Sequence, residues 1–170
     1  AGTLYLASEV IALLILLVYF LLPEAKPYFD FFGSLKDQYG FVYSFAATAL
    51  CGGLIPFLYL WWSGKLARVK SLLAVGGFYF IFWGYKGMEV DLFYRWQGHW
   101  FGSGSEFGTL VTKVAVDQLF YSALWAAPSI TLSYLWMEAN FNWRAWRAAL
   151  NRQLLTQKLP VVIVSNWLVW

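Results

Sequence analysis

Long apolar runs separated by short polar stretches dominate the chain. Four runs have the roughly 20 residues that a helix needs to cross a bilayer; they cover residues 4–22, 41–62, 72–94 and 110–136. A fifth run, 160–170, is too short to span and stops inside an apolar stretch, so we expect a further helix that begins here and a chain that continues past Trp170. The pattern predicts an all-α, multi-pass transmembrane helical bundle that forms one domain, 1–170.

The amino-acid composition supports a membrane protein. Of the 170 residues, 61% are hydrophobic, 22% are aromatic and only 12% are charged, whereas about a quarter of a soluble domain is charged. The formal net charge is +3, but the basic residues are scattered between apolar runs and form no nucleic-acid-binding patch. We therefore expect the lipid bilayer as a partner and no nucleic acid.

The sequence predicts neither an enzyme nor a cofactor protein. It contains no glycine-rich phosphate loop, no nucleophile and base at a recognisable spacing, and no metal-ligand spacing. One histidine, His99, cannot build a metal site alone, and one cysteine, Cys51, excludes a disulfide within the chain. We expect no catalytic residues, no metal and no cofactor.

The charges of the connecting segments predict the orientation. Basic residues follow the second and the fourth apolar run, namely Lys65, Arg68 and Lys70, and then Arg144, Arg147, Arg152 and Lys158. The connection between the third and fourth runs is nearly uncharged. By the positive-inside rule the basic connections lie on the cytoplasmic or matrix side, and the N-terminus is inside.

The segment 143–158 is basic and amphipathic. Its tryptophans and leucines fall on one helical face and its arginines elsewhere, which predicts a helix in the plane of the membrane surface. The membrane-surface residues are Trp143, Arg144, Trp146, Arg147 and Arg152. Such a helix either recognises anionic lipid or a partner, or anchors the inner end of the bundle, and anchoring is the commoner role.

Ionisable residues interrupt the third and fourth runs. The spacings of Lys86 with Glu89, Asp91 with Arg95, and Lys113 with Asp117 each allow an ion pair along one helix. Charged groups inside a membrane are costly, about 3 kcal/mol each at the centre of a helix, and they commonly mark functional sites. With Gln118, these six residues form the candidate polar cluster, expected toward the outer ends of the two runs. Two interpretations stay open: the cluster lines a water-filled vestibule between these helices, or it clamps them together.

Three stretches resemble the Mpv-seventeen / peroxisomal membrane protein family. "KVAVDQ" (113–118) resembles its Lys-x-x-x-Asp-Gln motif, "GMEVDLFY" (87–94) its Gly-Pro-x-x-His-x-Trp-Tyr motif, and "SNWLVW" (165–170) the start of its Asn-Trp-x-x-Trp-Pro signature. Met88, Asp91 and Phe93 replace the Pro, His and Trp of the second motif. The resemblance implies a small four-helix protein of a bacterial inner, mitochondrial inner or peroxisomal membrane, with channel-like activity in some members.

Two functions follow as hypotheses. The first is a small channel or solute-permeation protein with a charged outer vestibule, which the cluster of ionisable residues favours. The second is a non-catalytic accessory subunit docked onto a larger membrane protein complex, which the aromatic and glycine-rich helix faces favour. Its partners would be other membrane subunits or a second copy of itself.

Overall fold

Helices account for almost all of the chain. The structure, a computed structural model, describes the backbone of residues 2–67 and 69–169 and the side chains of 10–11, 13–67 and 69–167. Within that part of the chain there is no strand, so the predicted all-α class and helical bundle are confirmed. The helices are α1 (Gly2–Leu21), α2 (Lys26–Tyr39), α3 (Phe41–Trp62), α4 (Leu72–Phe101), α5 (107–138), α6 (Trp143–Ala149) and α7 (154–169).

Three of the helices widen just before a proline. The π-helical stretches are Ala49–Leu54 before Pro56, Val116–Ala126 before Pro128 and Leu154–Lys158 before Pro160. In α5, the N–H of Ala127 donates to the carbonyl of Ser122, five residues back. Proline has no N–H and clashes with the preceding turn, so the regular ladder is interrupted there and the helix takes up the disruption as a wide turn.

Helices α3 and α4 pack closely because glycines lie between them. A Cβ on Gly53 would lie 2.6 Å from the carbonyl oxygen of Tyr79, and a Cβ on Gly87 would overlap the carbonyl of Ser44 and the side chain of Thr48. Only a residue without a side chain allows the backbones to approach this far. Gly53 and Gly87 therefore set the α3–α4 distance at these two positions.

Long side chains fill the contact between α4 and α5. Tyr134 of α5 packs edge-on against the rings of Phe78, Tyr79 and Phe82, with centroids 5.6 to 6.0 Å apart. The indole N–H of Trp83 donates to the Tyr134 hydroxyl at 3.0 Å. Helix α4 thus lies between α3 on one side and α5 on the other, and α7 packs along α5.

The burial pattern combines exposed large apolar side chains with buried ionisable groups. Large apolar side chains are exposed along α1, α3 and α5, while Lys86, Asp91 and Asp117 are each at most 8% exposed. Among the described residues, one helix, Phe41–Trp62, is long and apolar enough to cross a membrane by length and composition, and only 11% of its apolar window is buried. Polar and ionisable residues interrupt the apolar runs of α4 and α5.

Two elements differ from the sequence-based expectation. The segment 26–39, expected as a connection, forms the amphipathic helix α2, which ends at Gly40 with a positive φ of 50°. The prediction of a single helix over 143–158 is wrong. Helix α6 ends at Ala149. The Asn151 side chain then accepts the backbone N–H of Leu154 at 3.0 Å and caps the next helix. Asparagine at such a position starts a new helix rather than continuing the old one.

Candidate functional site

Asp91 is the centre of a polar contact between α2, α3 and α4. Its Oδ2 accepts the Ser44 hydroxyl at 2.8 Å and its Oδ1 accepts Arg95 Nε at 3.2 Å, which confirms the predicted Asp91–Arg95 pair. Lys36 of α2 lies 3.7 Å from Oδ1. Asp91 is 6% exposed, whereas Lys36 and Arg95 are each about half exposed. A buried carboxylate therefore attracts two cations from the periphery of the bundle.

Lys86 forms a second polar contact, between α4 and α5. Its ammonium donates to Glu89 Oε1 and to the Ser129 hydroxyl, both at 2.7 Å, which confirms the predicted Lys86–Glu89 pair. The Tyr121 hydroxyl donates to the same Glu89 oxygen at 2.7 Å. The side chains of Lys86 and Glu89 are 5% and 13% exposed. Such a pair is poorly screened by solvent, and losing either partner leaves a buried charge.

The two residues of the third predicted pair, Lys113 and Asp117, each contact α4. The Tyr94 hydroxyl donates to Asp117 Oδ2 at 3.2 Å, and the Gln97 side-chain amide donates to the backbone carbonyl of Lys113 at 3.1 Å. Asp117 lies at the start of the wide stretch of α5, and the buried residues Asp117, Tyr121, Ser122 and Ala126 recur there at four- or five-residue intervals. The five-residue intervals match the i→i+5 hydrogen bonding of that stretch.

The last helix reaches the same part of α5. The Asn166 amide donates to the hydroxyl of Ser122, which is 0% exposed, at 2.7 Å, and the Trp167 indole donates to the Gln118 carbonyl at 2.8 Å. Tyr94, Asp117, Gln118, Asn166 and Trp167 belong to the three stretches on which the family resemblance rests. These stretches, far apart in sequence, meet in the folded chain; Trp170 lies outside the described residues.

The predicted cluster is divided by α4 rather than gathered on one side of it. Asp91 and Arg95 face α2 and α3, whereas Glu89 faces α5. Lys86 lies near the middle of the 30-residue α4, because the helix continues to Phe101, beyond the predicted end at 94. At 1.5 Å per residue it is about 21 Å from the first residue of the helix. The expectation that these charged groups lie together near one end of α4 is wrong for Lys86.

A cavity with a few charged residues in a mostly apolar lining lies between α2, α3 and α4, whereas the vestibule was expected between α4 and α5. Its volume is about 290 Å³. Of the predicted cluster, Lys86 and Asp91 line it, together with Lys36. The remaining wall comes from Tyr43, Ser44, Ala47, Thr48, Trp83, Gly87, Val90 and Tyr94.

Sequence reasoning missed several partners of the charged groups. The hydroxyls of Ser44, Tyr121 and Ser129 each accept from or donate to a buried charged side chain. All three are polar residues inside apolar runs, which was the available signal, but one sequence does not give the relative rotation of the helices. Lys36 was missed because α2 was not predicted.

The predicted membrane-surface tryptophans pack onto the end of α5. Trp143 and Trp146 stack with centroids 4.8 Å apart, and both meet Trp136 edge-on. The Trp146 indole donates to the carbonyl of Leu132 at 3.0 Å. Arg144 and Arg147 are also on α6, whereas Arg152 follows the break after Ala149. The five residues therefore do not share one helix.

In the part of the chain that the structure describes, no group of three His, Cys, Asp or Glu residues is placed to hold a metal ion. No protein-family model, no curated protein and no solved structure matches the chain.

Proposed function

We propose that the protein is a multi-pass membrane protein that lets small polar solutes cross the bilayer. Helices α1, α3, α4 and α5 would be the membrane-spanning segments, with the N-terminus inside. The membrane would be a bacterial inner, mitochondrial inner or peroxisomal membrane, as the family resemblance implies. The contact among the three motif stretches, through Tyr94, Asp117, Gln118 and Trp167, supports that relationship.

The observation that carries the proposal is the combination of exposed large apolar side chains with buried ionisable groups. Lipid is a suitable environment for the exposed apolar side chains, and the buried ionisable groups then face the bundle interior, where charged residues of membrane helices are found. In water the same surface would be a large aggregation-prone apolar patch.

Unsatisfied buried acceptors support a polar route rather than a simple clamp. Glu89 Oε2 and Gln118 Oε1 are buried and have no hydrogen-bond partner among the described residues. Leaving such groups unpaired costs about 1–3 kcal/mol each, so they fit a passage in which water or a solute donates to them.

Conductance in planar bilayers tests the proposal. Purified, folded protein should conduct, and Asp117→Asn should shift the reversal potential in a salt gradient because it removes a buried charge. Asp30→Asn, at an exposed position of α2, is the matched control and should leave the reversal potential unchanged. Absence of conductance from monodisperse, folded protein would refute the permeation proposal.

A second candidate function, an accessory subunit of a larger membrane complex, is favoured by one groove. Small residues of α4, Ala74 and Gly77, form its floor and Phe78, Tyr85 and Phe141 are among its aromatic walls; its volume is about 550 Å³. A floor of small residues permits close approach of a partner helix. Purification from native membranes in mild detergent decides: migration of the protein alone excludes this function.

A further inference from the structure

We propose that the cavity between α2, α3 and α4 binds a small organic monoanion with an apolar body. The inference rests on the proposed function, for which it names the class of solute. It depends on three features of the cavity, namely a carboxylate that already has hydrogen-bond partners, two cations in the wall, and a largely apolar remaining wall.

Both carboxylate oxygens of Asp91 already have hydrogen-bond donors within the protein, so Asp91 does not need a bound cation. Arg95 donates to both of its oxygens, at 3.2 and 3.4 Å, and Ser44 donates to Oδ2 at 2.8 Å. Lys36 is therefore an additional cation, 3.7 Å from a carboxylate that has other partners, and its side chain is 50% exposed. A long, half-exposed ion pair of this kind is weak. Lys36 can turn to another anion at little cost.

Lys86 supplies the second cation of the cavity. An ammonium group has three N–H donors, and Glu89 and Ser129 accept two of them. Lys86 also lines the cavity, so its positive charge lies beside the cavity wall. Lys36 and Lys86 come from different helices, so an anion between them would join α2 to α4.

Charge and shape select the solute. Two cations, Lys36 and Lys86, and one carboxylate, Asp91, line the cavity, so one further negative charge balances the site. Ala47, Val90 and Trp83 are apolar or aromatic walls beside the cations. The volume of about 290 Å³ is at the lower end of ligand pockets, which suits a small molecule. A carboxylate on a short apolar or aromatic body fits these conditions.

Benzoate is the probe, and benzamide, its neutral analogue of the same shape, is the ligand control. Binding is measured calorimetrically on the protein in phosphatidylcholine nanodiscs. We expect benzoate to bind and benzamide not to bind, and Lys36→Gln to weaken benzoate binding at least about threefold, as for a partly exposed charge contact. Lys26→Gln, an exposed lysine of α2, should leave the affinity unchanged. Equal binding of the two ligands overturns the proposal.

A substitution that should raise the affinity for benzoate distinguishes an effect on binding from damage to the fold. Asp91→Asn removes the carboxylate that competes for Lys36 and Arg95, so benzoate affinity should rise, whereas a merely disrupted cavity would lose it. If benzoate affinity does not rise in Asp91→Asn protein that elutes as folded protein, the proposal is wrong.

The anion could instead come from a lipid headgroup, which offers a similar oxyanion. Phosphatidylglycerol nanodiscs distinguish the two sources. Benzoate binding in phosphatidylcholine that persists in phosphatidylglycerol supports a soluble anion, and a site occupied only by phosphatidylglycerol refutes it. Conductance without benzoate binding would leave the proposed permeation function standing and reject this inference alone. Benzoate binding without conductance would refute the permeation function and leave the proposed binding site standing.

Discussion

The buried pair of Lys86 and Glu89 gives the sharpest energetic prediction. Replacing Lys86 by Met leaves the Glu89 carboxylate, 13% exposed, with Tyr121 as its remaining hydrogen-bond partner. Removing one member of a buried pair typically costs about 3–5 kcal/mol, because the other charge stays buried without compensation. Glu89→Gln should cost a similar amount, since it removes the counter-charge and leaves the Lys86 ammonium, 5% exposed, with neutral acceptors such as the Ser129 hydroxyl.

The double variant Lys86→Met/Glu89→Gln should regain much of that loss. It buries no net charge, and directly contacting residues show coupling energies of up to about 3 kcal/mol. The measurement is a double-mutant cycle of unfolding in mixed detergent micelles, followed by tryptophan fluorescence. Lys70→Met, at an exposed lysine, is the control and should be nearly neutral. Additive single effects, with no coupling, would refute the assigned pair.

The same double variant separates the two roles of the cluster. If Lys86 and Glu89 only clamp α4 to α5, the variant should regain stability and keep the ion selectivity of the parent in planar bilayers. If they line the route, stability should return while selectivity changes, because two charges have left the wall. The permeation proposal predicts the second result.

Three further substitutions test the packing. In thermal unfolding, Gly87→Ala should destabilise the bundle by about 1–3 kcal/mol, because the added Cβ overlaps the backbone of α3. Gly77→Ala should be neutral or slightly stabilising, because a Cβ there meets no neighbouring atom within 4 Å. Asn166→Ala should cost about 1–2 kcal/mol in the same assay, since it removes the partner of the fully buried Ser122 hydroxyl. Asn151→Ala should cost about 1 kcal/mol by removing a helix cap, and no loss would contradict the break in the predicted surface helix.

The sequence predicted those features that depend on local pattern. Apolar runs predicted helices at α1, α3, α4 and α5, and the i,i+3 and i,i+4 spacings predicted the Lys86–Glu89 and Asp91–Arg95 pairs, because one helix fixes the relative position of its own residues. The contact of Tyr121 with Glu89 could not be predicted, since it depends on how α5 is rotated against α4 and on the widened turns before Pro128.

Two misses had signals that were present in the sequence. Tyr28, Phe32, Leu35 and Tyr39 recur at helical spacing, which is typical of an amphipathic helix and would have predicted α2 and placed Lys36 on it. Asn151 is a favourable first-turn cap, which would have divided the segment 143–158. The segment 26–39 was instead expected to be a connection, and the segment 143–158 was expected to be one amphipathic helix.

The central claim, that α3, α4 and α5 cross a bilayer around a polar interior, is tested most directly by the sidedness of their connections. In a Cys51→Ser background, single cysteines at Ser63, between α3 and α4, and at Ser103, between α4 and α5, are exposed to a membrane-impermeant maleimide in sealed spheroplasts. We predict labelling at 103 without permeabilisation and at 63 only after it. Labelling of both positions in sealed spheroplasts, or of neither, would contradict the membrane-spanning arrangement.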